Sequence, residues 1–303
     1  MRRLVPAALL VAGLALASGQ AAAQDMEPRA YSAAPIDTNF LVAGYVHLWG
    51  HASLDPALPI TNVRADVDHY DIGYSRTLDL FGRQASAAVL LPFAKGTVTG
   101  DLQDNSRQAT RDGLDDLRFR FATNLIGGPA LTPGEFATRT PSPTLGTSLV
   151  VIAPTGQYNP ERLVNISAHR WAFKPDLGLS VPYGKWFAEA STGVWLYTEN
   201  HDFFGGHDRG QNPILSLQLH GGYNFRPGLW LAGDATYYRG GSTSIDGTAK
   251  NDLKESWRYG LTLSVPLGGG FSLKLAGSAW LTHENTGTFD IVSAALQYRW
   301  FDD

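Results

Sequence analysis

Charged residues fall at alternate positions inside otherwise oily stretches of this chain. Asp116, Arg118 and Arg120 share one parity of the run 114–126, while Leu117, Phe119 and Phe121 share the other. Glu189, His220, Asp234, Arg258, Lys274 and Arg299 hold the same kind of position in later runs. Charges of both signs inside a ring of strands could set the selectivity of a pore. Alternatively they pair with one another and fill a narrow, closed lumen. Trp195, Tyr197, Trp230, Tyr238 and Trp280 join the charges on that parity. They could line a path for aromatic rings, because small-molecule pockets combine aromatic walls with a few polar groups. Interior packing and interfacial anchoring are the plainer roles for the same residues.

Other chemistry is thinly represented. A nucleophilic enzyme needs a serine beside a base that a third group orients. His51-Ala52-Ser53 with Asp55 is the nearest approach, and the surrounding sequence is unlike a lipid-hydrolase motif. His201-Asp202 and His207-Asp208 share one polar stretch and could touch a divalent ion, but they form no closed ligand set. Solvated loop residues are the simpler reading, for these and for Asp101, Asp104 and Asn105. Asn165-Ile166-Ser167 matches the glycosylation pattern by chance in a bacterial chain. No catalytic residue, metal ligand or cofactor is therefore assigned.

Alternation of this kind requires strands, since successive side chains of a strand point to opposite faces. Leu215, Leu217, Leu219, Tyr223 and Phe225 oppose Ser216, Gln218, His220 and Asn224. Tyr259, Leu261 and Leu263 oppose Arg258, Thr262 and Ser264, and two further runs near the C-terminus repeat the pattern. Apolar outer faces with aromatic ends, over a polar inner face, describe a transmembrane β-barrel. Twelve strands are expected, near 38–49, 66–79, 84–94, 114–126, 145–154, 170–181, 185–198, 213–225, 229–239, 254–265, 271–282 and 288–300. Short turns then alternate with longer polar loops near 51–65, 95–113, 155–169, 199–212, 240–253 and 283–288, which fall outside the cell envelope. The stretch 127–144 is a long inner connection. Two strands fit poorly: 38–49 is apolar on both faces, and Pro175 in 170–181 implies a bulge or a later start.

The bulk properties agree. Arg2 and Arg3, the apolar run Leu4 to Ala17 and Ala21-Ala22-Ala23 read as a signal peptide over 1–23, with the mature chain starting near Gln24. Residues 24–37 would form a periplasmic N-terminal segment or a plug, and 38–303 the barrel. No later window approaches the roughly 20 apolar residues of a membrane helix, which leaves a barrel open. With no Cys there is no disulfide framework. The net charge of −4 becomes −6 without Arg2 and Arg3, which argues against nucleic acid as a partner. The expected partners are outer-membrane lipid and lipopolysaccharide, the barrel-assembly machinery and a small organic solute. A terminal aromatic would favour that machinery, but here Trp300-Phe301 is followed by Asp302-Asp303.

One segment carries a family likeness. The run from Ala153 to Asn165 (APTGQYNPERLVN), followed by His169-Arg170-Trp171, resembles the signature of the "Putative MetA-pathway of phenol degradation" proteins. Gly113-Leu114-Asp115-Asp116-Leu117, Asn212-Pro213-Ile214, Leu229 to Asp234, Gly240-Gly241 and Ile245-Asp246-Gly247 agree with it, so the likeness covers roughly 38 to 301. It implies a transporter-like outer-membrane barrel associated with aromatic degradation, and it brings no catalytic residues. The expected function is a channel or facilitator for small organic molecules, aromatic ones included. A barrel enzyme acting on lipid or lipopolysaccharide, and a structural or adhesive barrel, are the alternatives.

Overall fold

The computed structural model describes residues 27–51, 60–102, 105–282 and 288–302. The expected signal peptide, Ser53 and Asp55 lie outside these residues. The strands in chain order are β1 (Thr38–His51), β2 (Ile60–Leu80), β3 (Arg83–Leu102), β4 (Asn105–Leu114), β5 (Leu117–Ile126), β6 (Thr144–Ala153), β7 (Ala172–Tyr183) and β8 (Trp186–Tyr197). There follow β9 (Asn200–Phe203), β10 (His207–Gln211), β11 (Ile214–Arg226), β12 (Leu229–Gly240), β13 (Thr243–Ile245), β14 (Thr248–Ala249), β15 (Lys254–Gly268), β16 (Phe271–Thr282) and β17 (Thr288–Phe301).

All but four of these form one antiparallel wall. β1 pairs with β2 on one side and with β17 on the other, so the sheet closes on itself. β4 and β5 continue one another along β3, interrupted at Asp115-Asp116, and the wall has twelve staves. Closure is what a membrane demands, because hydrocarbon offers no partner to an unpaired sheet edge.

The alternation sorts the two faces as expected. Leu219, Leu261, Phe119 and Phe121 are exposed on the outside, while Ser216, Gln218, Arg258 and Thr262 are buried inside. Aromatic side chains mark both borders of the oily belt: Trp49, Tyr70 and Trp171 at one end, Tyr183, Trp186, Phe225 and Tyr298 at the other. The short connections lie at this second end, which is periplasmic by the usual habit of such barrels. Phe81-Gly82, both at positive φ (53° and 78°), make one of them, the backbone a two-residue hairpin turn needs.

Several loops differ from expectation. The stretch 95–113 is largely strand, because β3 continues to Leu102 and β4 begins at Asn105, with Val98 buried. The loops 199–212 and 240–253 contain β9, β10, β13 and β14, which join in a small separate sheet at the extracellular end. The inner connection 127–144 holds a short helix, α1 (Pro133–Thr138), capped by Thr132 and Glu135. Pro175 causes no bulge: Phe173 faces Leu196 and Asp176 faces Gly193 in one register, and β7 simply starts later, at Ala172. The oily inner side of β1 is explained too, since Val46 and Leu48 pack inside the barrel with Val63, Val67, Val98, Val164 and Ile291.

Candidate functional site

The lumen is occupied from both ends. From the periplasmic end, residues 27–37 run inside the wall before β1 begins. The ring of Tyr31 lies against Gly146 and Gly178, where an added Cβ would come within 2.8 Å and 2.1 Å of it. The Tyr31 hydroxyl donates to Asp176 Oδ1 and lies 2.9 Å from Ser148 Oγ. Ser32 Oγ donates to Glu189 Oε1 at 2.8 Å, the Arg29 amide donates to Glu189 Oε2, and Ala34 N donates to Gln84 Oε1 at 2.7 Å. The Arg29 guanidinium lies over Phe187 and Trp230 and donates to Asn224 Oδ1 at 2.7 Å. Burial pulls that guanidinium below its ordinary pKa, opposed by Glu189.

From the extracellular end, the loop after β6 folds inward and buries Val164, Ile166 and Ser167. Asp116 holds it, with Oδ1 accepting from Gly156 N (2.9 Å) and Ser167 Oγ (2.7 Å) and Oδ2 accepting from Ala168 N (3.2 Å). Asn165, the chance glycosylation match, closes the same loop by donating to the carbonyls of Asn159 and Arg162.

Between the two closures the wall presents charges in partnered groups. A charge left alone in such surroundings costs several kcal/mol, of the order of 2–3 or more. His220 Nδ1 lies 2.7 Å from Asp234 Oδ1, and Thr262 Oγ1 donates to Asp234 Oδ2 at 2.7 Å. Lys174 lies 3.9 Å from Asp176, and Arg118 3.7 Å from Asp115. Arg258 is wholly buried with its guanidinium 5.6 Å from the centre of the Trp280 ring. Behind His220 and Asp234 the outer wall carries a recess of about 630 Å³, bordered by Leu219, Tyr259, Gly221 and Gly233.

A family model described as "Putative MetA-pathway of phenol degradation" matches residues 52–300. The chain belongs to this family. Among solved structures, an outer membrane channel from Pseudomonas putida F1 is similar at a TM-score of 0.77 and 22% identity, over 90% of this chain and 99% of that one. The translocator domain of the autotransporter NalP from Neisseria meningitidis is similar at 0.50 and 13%, over 86% and 88%. The transport unit of the autotransporter AIDA-I from Escherichia coli gives 0.50 and 6%, over 88% and 90%. No curated sequence matches. These likenesses are of fold, and the fold is that of outer-membrane barrels. This family member is a protein of the outer membrane.

The structure brings together part of the set read from sequence. Glu189, His220 and Asp234 share one sector of the wall, with His220 opposite Glu189 on one side and Asp234 on the other. Arg120 reaches the plug-like segment, donating to Ala30 O at 3.4 Å with Tyr31 5.5 Å away. Asp116 is spent on the outer loop. Lys274 stands apart, opposite Ser264 and Ala295, and Arg299 lies exposed near the periplasmic rim over Phe301. The five aromatics point inward and pair: Trp195 stacks with Tyr197, Tyr238 with Trp280, and Trp230 meets Phe187 edge-on. His201 and His207 engage separate partners, Asp208 at 2.8 Å and Asp246 at 2.6 Å.

Sequence reasoning missed Arg29, Tyr31, Lys174, Asp176 and Arg170. Lys174 and Asp176 had a usable signal, since they share the parity of Ala172 and Gly178 on either side of Pro175. Tyr31 had none, because its seat is two glycines on different strands.

Proposed function

We propose that this barrel is an outer-membrane channel for small organic molecules, aromatic ones included, with residues 27–37 as its periplasmic plug. The observation that carries this reading is the seat of Tyr31: two glycines paired across β6 and β7 shape it, and Ser148 and Asp176 satisfy the hydroxyl. Hydrogen bonds to a polar wall can be exchanged for water at a net cost of only about 1 kcal/mol each, so such a seal can withdraw. The family's association with phenol degradation supports an aromatic cargo. Buried aromatics facing the lumen support it as well.

The wall argues for a channel over an enzyme. A nucleophilic site needs a hydroxyl aimed at its base. Here the Thr262 hydroxyl is given to Asp234, the same carboxylate that His220 contacts.

Single-channel conductance of the refolded protein in a planar bilayer tests the proposal. Gly178→Ala should unseat Tyr31 and increase open conductance several-fold over the parent, and millimolar phenol should interrupt the current. Silence from correctly folded parent and variant alike would overturn the channel reading.

A further inference from the structure

At the extracellular mouth, on the side away from the oily inner face of β1, three cations converge on few acceptors. Arg170, just before β7, is buried at 6% exposure. Its Nη2 donates to Gln211 Oε1, while its Nε and Nη1 are buried without an acceptor among the described residues. Arg209 of β10 lies over the Phe203 ring at 5.2 Å. Lys254, at the start of β15, donates to Gly241 O at 3.1 Å. Arg170, Arg209 and Lys254 repel one another electrostatically.

Two carboxylates lie within electrostatic reach, and neither accepts a hydrogen bond from Arg170 among the described residues. Asp252 acts on Arg209 and Lys254, yet its oxygens accept from Thr243 N at 2.7 Å and Thr243 Oγ1 at 2.8 Å. Asp116 is taken up by the outer loop. Burial, then repulsion from Arg209, brings Arg170 down to about 10, and burial lowers Arg209 too. Crowding like charges at low exposure is costly unless an anion joins them.

Directly below stands an aromatic floor. The Arg170 guanidinium sits 4.5 Å from the centre of the Tyr197 ring, and Tyr197 stacks on Trp195, which is buried with Ile152 and Ala172. Charge-assisted N–H bonds suit a carboxylate, and flat aromatic walls suit a ring.

We infer that Arg170, Arg209 and Lys254, with Tyr197 and Trp195, form a binding site for aromatic monocarboxylates at the extracellular mouth. The inference takes its purpose from the channel reading, as a first stop for solute, but the site's existence is independent of it. An aromatic acid placed here would supply the missing acceptor to Arg170 and set its ring beside Tyr197, over which Arg170 already lies.

Calorimetric titration of the refolded protein with benzoate tests this, beside benzyl alcohol (the ring without the charge) and acetate (the charge without the ring). Benzoate should bind at least ~10-fold more tightly than either control. Arg170→Gln should weaken benzoate ~10- to 100-fold, the range expected for losing a charged hydrogen bond. Lys254→Met, which leaves the Gln211 contact intact, should weaken it in the same direction and guards against misfolding of the first variant. Equal affinity for benzyl alcohol, no binding of benzoate, or undiminished binding in both folded variants would overturn the site. Conductance is read separately: an open pore without benzoate binding removes only this inference, and benzoate binding to a silent barrel removes only the channel reading.

Discussion

Both closures of the lumen are hydrogen-bonded, the outer loop through Asp116, but they differ in what else holds them. Segment 27–37 is held at the periplasmic end by hydrogen bonds to Gln84, Ser148, Asp176 and Glu189. The outer loop buries Val164 against Val46, Val63, Val67, Val98 and Ile291, the oily core that lies beside β1 within the barrel. A hydrogen-bonded seal can trade its partners for water at modest net cost, whereas an apolar seal must expose its surface to come loose. On the channel reading proposed above, this contrast would make segment 27–37 the moving part and the outer loop the fixed one.

The largest effect calibrates the wall that carries both closures. Leu219→Arg, on the lipid face in mid-strand, should destabilise the barrel by ~2–4 kcal/mol in vesicle-based urea unfolding. No loss would mean that Leu219 does not meet hydrocarbon. Next, Val164→Asp should forfeit the apolar seal, worth about 1.5–3 kcal/mol for a fully buried aliphatic side chain. Trypsin should then cut near Arg162 while the barrel keeps its folded mobility on gels; continued resistance would show that Asp116 alone holds the loop. Smallest, Tyr31→Phe removes one hydroxyl from the plug and should cost about 1 kcal/mol. The closed-to-open ratio in single-channel records should fall by a factor of about 5. If Val164→Asp opened the pore and Tyr31→Phe left it unchanged, the assignment of moving and fixed parts would be reversed.

Much of this was legible in the sequence where one face of a strand meets lipid. Leu215, Leu217 and Leu219 against Ser216, Gln218 and His220 can be satisfied in only one way, because a slip of one residue would put every polar group into hydrocarbon. β1 was unreadable for a physical reason: both faces are oily, since its inner face meets Val164 of a distant loop as its outer face meets lipid. The stretch 95–113 read as loop because β3 and β4 leave the hydrocarbon there, and alternation of Thr97, Val98 and Thr99 no longer contrasts oil with charge. The candidate site was half legible. Parity placed His220, Asp234, Trp195 and Tyr197 on the inner face, but the cations over the two rings, Lys174 and Arg170, come from outside their strand.

The sequence by itself determined the barrel, the sorting of its two faces and the order of short and long connections, because those follow from local alternation under the rule that hydrocarbon tolerates no unpaired backbone. Tertiary structure decided what fills the lumen. Tyr31 finds Gly146 and Gly178, Asp116 finds Ser167, and Arg170 gathers with Arg209 and Lys254 only when the sheet closes. Such meetings depend on where distant strands lie around a ring, and no local pattern of residues records that.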